Sequence, residues 1–145
     1  MRIVVQRCKK AKVSVEEKVV GEISHGLMLL VGFTEGDNST NINYLVDKVI
    51  NLRIFDDEAG IMNKSLLDVG GSILSISQFT LYADTRKGRR PSYINALNGH
   101  LANKLYDEFN QKLKEQNIHV ETGIFGADMQ VDFINDGPIT ILLEK

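Results

Sequence analysis

Eight residues constrain this chain more than any others. Gly26-Leu27-Met28-Leu29-Leu30-Val31-Gly32-Phe33 is a continuous apolar run, followed by the polar stretch Thr34 to Thr40. It falls well short of the roughly 20 residues that a membrane-spanning helix needs, and no other apolar run approaches that length. A run this short, bounded by glycine, reads as a buried strand. A buried strand has to be covered, so the question becomes which other segments can cover it.

Both kinds of periodicity lie around it. "RIVVQ" and "AKVSV" near the N-terminus are rich in β-branched residues and read as strand. Gly21 separates two further short strand-like pieces, "KVV" and "EIS". After Phe33 the period changes. Ile42, Leu45, Val46, Val49 and Ile50 fall on one face of a helix, with Ser39 or Thr40 as its cap. "SILSISQFTLYA" returns to strand. Pro91 suits the first turn of a second helix, whose stripe runs through Ile94, Leu97, Leu101, Leu105, Phe109 and Leu113. Gly99 interrupts that helix at some cost, and Asn117 is its expected stop. "HVETGIF", "MQVDFIN" and "ITILLEK" close the chain as strands. The order β-β-β-α-β-α-β-β-β predicts one α+β (mixed α/β) domain over residues 1–145. Two main helices would cover antiparallel-rich sheets in β/β/α layers.

Charge narrows the function classes. The net charge is −2 and 25% of residues are charged, so nucleic acid cannot be held by overall charge and needs a local basic patch. One dense cluster exists: Arg86, Lys87, Arg89 and Arg90 around Gly88, just ahead of the expected start of the second helix. Loop cations beside free helix amides suit a phosphate group, and a solvated loop is the equal alternative. The only cysteine, Cys8, has no partner for an internal disulfide, which points to a reduced, cytoplasmic setting. The N-terminus lacks the apolar core of a signal peptide. His25, His100 and His119 have no metal-ligand spacing, so no metal and no cofactor is expected.

Three stretches can carry chemistry. If Ser77 to Leu81 is strand, Leu74, Ile76, Gln78 and Thr80 share a face that turns polar partway. Either the strand leaves the core there, or a pocket wall begins. Ser77 then points the other way unless the backbone kinks. Gly123 to Gln130, "GIFGADMQ", has two glycines around Phe125 and reads as a hairpin or a close backbone approach. Asn135-Asp136-Gly137-Pro138 reads as a turn between two strands. From the residues alone its Gly–Pro bond is expected trans, since only about 5–6% of such bonds are cis.

Together the stretches resemble one family. "GIMNKSLLDVGGSILSISQFTLYADTRKGRRPS", "GIFGADMQV" and "NDGPITILLE" are similar to the D-aminoacyl-tRNA deacylases, first described as D-tyrosyl-tRNA deacylases, and the likeness runs from Met1 to Lys145. "SQFTL" with "NDGPIT" is a specific combination. Asn98-Gly99-His100 departs from relatives that often carry a proline at that helix start. The resemblance implies a cytoplasmic homodimer that hydrolyses the ester between a D-amino acid and the 3′ end of tRNA, with the active site at the dimer interface. Ser77, Gln78, Phe79 and Thr80 would form the catalytic wall, with backbone N–H groups near Phe79 as oxyanion donors. Gly137 and Pro138, joined by a cis bond, would reach in from the other subunit to bind substrate, with Phe125 and Met129 beside it. Arg86, Lys87, Arg89 and Arg90 would contact the tRNA. The intact Ser77-Gln78-Phe79 favours the D-specific branch over a related animal branch with an altered motif. Two other readings stay open on the residues themselves: a non-catalytic RNA-binding module, and a small-molecule esterase with a Ser or Thr nucleophile.

Overall fold

The computed structural model describes all 145 residues, Met1–Lys145. β1 (Arg2–Val15) turns at Glu16 and Glu17 into β2 (Lys18–Ile23). Both glutamates have positive φ, 48° and 63°, as the two-residue hairpin turn requires. The usual Asn-Gly signal for such a turn is absent here. β3 (Gly26–Gly32) is the apolar run, and it is buried nearly throughout. α1 (Ser39–Asn51) follows, then the short hairpin β4 (Phe55–Asp56) and β5 (Met62–Lys64), and the single turn α2 (Leu66–Val69). β6 (Ser72–Ser77), α3 (Gly99–Glu115), β7 (Val120–Thr122) and β8 (Gln130–Glu144) complete the chain.

The main sheet has the order β2-β1-β3-β6-β7, and β8 lies along β1. β3–β6 and β6–β7 are parallel; the other pairs are antiparallel. One face carries both helices. Ile3, Val5, Leu27, Leu29, Val31 and Ile73 meet Ile42, Leu45 and Val49 of α1 and Tyr106, Phe109 and Leu113 of α3 in one core. A second core forms on the opposite face from Cys8, Ala11, Val13, Ile23, Met28, Leu74 and Ile76. It closes because the sheet curls until β2 packs over β6 and β7. Gly21 marks the contact: a Cβ there would lie 2.8 Å from the Thr122 carbonyl oxygen. The result is the α+β, β/β/α architecture that the order of elements predicts.

Three local expectations change. The α1 cap is Asn38, not Ser39 or Thr40: its side chain accepts from Thr40 N at 2.8 Å, and its own N–H donates to Asn41 Oδ1 at 3.1 Å. The second helix starts at Gly99, not near Pro91. Asn98 caps it by accepting from His100 N at 3.0 Å, and Ile94 is left 86% exposed outside the helix. So Gly99 costs no helix interior, and the departure at Asn98-Gly99-His100 is a sound helix start. Asn117 does mark the stop, with φ 59° just past the helix.

The largest change is at the C-terminus. Gly137-Pro138 does not turn the chain back. Residues 130–144 run in one direction along a single partner, β1, with Ser14↔Gln130 to Cys8↔Asn135 on one side of the pair and Gln6↔Thr140 to Arg2↔Glu144 on the other. Asp136 to Ile139 stand opposite Arg7 alone, so the stretch is a large bulge.

Candidate functional site

β6 ends at Ser77, and there the backbone kinks. Gln78 has φ −146° and ψ 86°, and Phe79–Tyr82 is a 3₁₀ turn instead of the expected strand continuation. Gln78 N still donates to the Val31 carbonyl at 2.7 Å, which fixes the end of β6 against β3. Leu81 N reaches back to the Gln78 carbonyl at 3.4 Å. The N–H groups of Phe79 and Thr80 have no backbone acceptor, as expected in the first turn of a helix.

A cavity of about 300 Å³ opens beside this kink. Val31, Gly32 and Phe33 from the end of β3 form one side; Ile76, Ser77, Gln78 and Phe79 form another. Phe125 to Met129, from the loop after β7, close it, with Leu97 and Ala102 behind. The kink brings Ser77 into the same wall as Gln78, which plain strand alternation would forbid. The walls are mostly apolar, and Asp128 is the one charged residue among them. No histidine lines it. His25 packs edge-on to Phe55, and His119 meets Glu121 at 3.0 Å. No histidine is therefore at hand to activate a hydroxyl here, and Asp128 is the one titratable side chain in the lining.

Of the residues singled out in the sequence, Ser77, Gln78, Phe79, Phe125 and Met129 meet in this cavity. Thr80 does not line it. Its hydroxyl accepts from the Gln78 side-chain amide, so it orients Gln78. Gly137 and Pro138 do not line it either. Their peptide bond is cis, as the family resemblance implies and residue statistics alone do not. Both are exposed at the tip of the bulge.

The bulge is held from behind by Arg7, which sequence reasoning missed. Arg7 is 7% exposed. Its Nε donates to the Asp136 carbonyl at 3.2 Å and lies 3.3 Å from the Asp136 carboxylate. Its Nη1 donates to the Ile54 carbonyl at 2.8 Å and to Asp56 at 3.2 Å. A rigid guanidinium fork, always charged and rich in donors, suits this many acceptors. Asn135 adds a second hold, accepting from Ile139 N at 3.1 Å and donating to Thr140 Oγ1 at 3.0 Å. Locally Arg7 is one basic residue between two strand-like runs, and nothing there marks its role.

The basic loop is closed at its base by paired Asp84 and Ser92 backbones, at 2.8 and 2.9 Å. Arg86 folds onto Asp84 with contacts of 2.9 and 2.6 Å, and these hydrogen bonds hold the Asp84 carboxyl down at about 2. Lys87, Arg89 and Arg90 have no such partner. The helix start at Gly99 lies beyond Pro91–Leu97, so no helix amides back this loop.

A sequence model of the D-Tyr-tRNA(Tyr) deacylases matches residues 4–144. This chain belongs to that family. The deacylase is 58% identical over 145 residues to the D-aminoacyl-tRNA deacylase of Thermosipho africanus, covering all of this chain and 97% of that one. It is 55% identical to the D-aminoacyl-tRNA deacylase of Bacillus cereus, covering all of this chain and 99% of that one. Among solved structures it matches the c-Myc DNA Unwinding Element Binding Protein, with TM-score 0.94, 37% identity and coverage of 100% and 99%. A probable eukaryotic D-amino acid tRNA deacylase shares the fold at 18% identity, with TM-score 0.83 and coverage of 98% and 97%. No helix of the deacylase is long and apolar enough to cross a membrane.

Proposed function

We propose that the cavity beside Phe79 is the active site of this D-aminoacyl-tRNA deacylase, and that a second copy of the chain completes it with Gly137 and Pro138. The enzyme hydrolyses the ester of D-aminoacyl-tRNA, releasing the D-amino acid and free tRNA. The observation that carries the site assignment is the kink at Gln78. It places Ser77, Gln78 and Phe79 in one wall and leaves the Phe79 N–H without a backbone acceptor there.

An aminoacyl ester is already activated, so the protein's task is mainly placement. Water adds to the ester carbonyl carbon, and negative charge collects on the carbonyl oxygen. The free N–H of Phe79 stabilises that charge from a fixed position. The carbon–oxygen bond to the ribose then breaks, and the 3′ oxygen takes up a proton. With no histidine in the cavity, the neighbouring ribose 2′-hydroxyl orients the water. Thr80 keeps the Gln78 amide in place and forms no covalent intermediate.

Chiral choice belongs to the bulge. The carbonyl oxygens of Gly137 and Pro138 accept from the substrate ammonium without reading its side chain. Glycine's missing side chain permits the approach. Both residues are exposed, held by Arg7 and Asn135, and outside their own chain's cavity. Those three facts support insertion into a partner's cavity. β8 also pairs only with β1, and its outward residues Ile134 and Leu142 are 47% and 60% exposed. A homodimer in the cytoplasm is the setting this reading favours. Family membership does not favour a purely RNA-binding module or a small-molecule esterase.

Incubation with D-Tyr-tRNA and L-Tyr-tRNA is the test. Release of tyrosine from the D form alone is expected. Equal turnover of both forms would remove the bulge from its selective role, and tRNA binding without turnover would remove the active-site reading.

A further inference from the structure

The Phe79 ring extends out of the cavity. It is 56% exposed, and Tyr93, 42% exposed, stands edge-on to it with ring centroids 5.0 Å apart and planes at 73°. Each ring is therefore about half open. Ile94, 86% exposed, follows Tyr93 in the chain. Exposed apolar groups gathered at a cavity rim need a partner.

Two observations decide the partner's chemistry. First, the segment carrying Tyr93 is pinned to the rim. Ala96 N donates to the Tyr93 carbonyl at 3.0 Å, Leu97 N to the Phe33 carbonyl at 2.9 Å, and the Thr34 hydroxyl to the Asn95 carbonyl at 2.6 Å. Tyr93 thus stands at a fixed place next to a wall residue of the cavity. Second, the chain just before it is the closed loop with the unpaired cations Lys87, Arg89 and Arg90. A protein of net charge −2 has set three free cations in the loop that leads into Tyr93. An apolar protein surface docking here would strand those cations without counter-charges. A single strand of RNA satisfies both features, because bases stack on rings while phosphates meet the cations.

We propose that the Phe79–Tyr93 pair is a stacking platform for the unpaired nucleotide immediately 5′ of the aminoacylated one, with Arg89 and Arg90 on the phosphates of that strand. This rests on the cavity being the seat of the aminoacylated terminal nucleotide. Tyr93 acts as a substrate-binding residue and takes no part in the chemistry.

The test compares wild type with Tyr93→Ala and Tyr93→Phe. Steady-state deacylation of D-Tyr-tRNA is measured, along with binding of the single-stranded trinucleotide CCA and of AMP. Loss of one stacking ring is expected to raise KM by about tenfold and leave kcat within about twofold. Tyr93→Phe keeps the ring and should keep KM. CCA binding should weaken with KM in the alanine variant, while AMP, which occupies the cavity alone, should bind as before. An unchanged KM in Tyr93→Ala overturns the platform. So does an equal loss of AMP and CCA binding, or an altered sedimentation coefficient, which would make the pair a subunit contact. Should wild type fail to turn over D-Tyr-tRNA, the active-site reading fails, and the CCA and AMP measurements still decide the platform.

Discussion

Cys8 is 1% exposed on β1, and burial pushes its thiol up from 9.0 to about 11. A thiol held neutral in the fold and released on unfolding gives a definite sign. Its contribution to stability is fully present below pH 9 and lost as the pH rises towards 11. Iodoacetamide at pH 8 should leave the native protein unmodified and label it in urea. Cys8→Ala should lose less stability than wild type between pH 9 and 11, read from urea midpoints; equal loss would assign the alkaline slope elsewhere. Gly137 is the other residue with a sharp prediction. It has φ +126°, and a Cβ there would lie 2.8 Å from Ile139 Cγ1 and 3.1 Å from Ile139 N. Gly137→Ala must displace the bulge. A shift of about 1 Å at reacting groups costs on the order of a hundredfold in rate, so D-Tyr-tRNA turnover should fall by about that factor while circular dichroism stays native. Wild-type turnover in such a folded variant would take the bulge out of the site.

At the scale of elements, α3 links the helical core to the site. Phe109 on its inner face is fully buried, Ala102 lines the cavity, and the Tyr106 hydroxyl donates to the Ser75 carbonyl of β6 at 2.7 Å. Tyr106 also packs on Phe125, with ring centroids 5.8 Å apart. Removing the Phe109 ring leaves a hole between two helices and a sheet. Phe109→Ala should cost about 3–5 kcal/mol by urea unfolding, and a loss under about 1 kcal/mol would mean that the site collapses to fill the gap. The kink after Ser77 is the other decisive element. β6 ends at Ser77, and the 3₁₀ turn that follows it, not a continued strand, carries Phe79 into the cavity wall.

For the whole molecule, the half-exposed apolar row of β8 and the absence of Gly137-Pro138 from their own chain's cavity lining lead to one expectation. Sedimentation equilibrium should give twice the 16.2 kDa chain mass, and a fully active monomer would overturn the shared site. Electrostatics adds a second. Lys87, Arg89 and Arg90 supply free positive charge on a chain of net charge −2. Replacing Arg89 and Arg90 by Ala should flatten the salt dependence of tRNA binding, by roughly 0.7 in the log–log slope for each lost single-strand phosphate contact. An unchanged slope would leave the loop as solvated surface.

The sequence by itself determined the elements whose signals are local. The apolar run Gly26 to Phe33 became the buried β3, and the stripe Ile42 to Ile50 became the inner face of α1. The stripe Leu105, Phe109, Leu113 placed α3, although local signals put its start too early, because Pro91 can open a helix and Asn98 can open one better. Motif likeness supplied the family and the candidate residues, since those depend on which residues recur together and not on where they lie. Tertiary structure decided the rest. Ser77 shares a wall with Gln78 only because the β3–β6 pairing ends between them and a 3₁₀ turn begins. Gly137-Pro138 is a bulge and not a turn because β1 is long enough to pair on both sides of it. Arg7 grips that bulge from 129 residues away in sequence. Periodicity reports how neighbouring residues face one another; it carries no information about hydrogen bonds between distant segments, and those bonds shape this site.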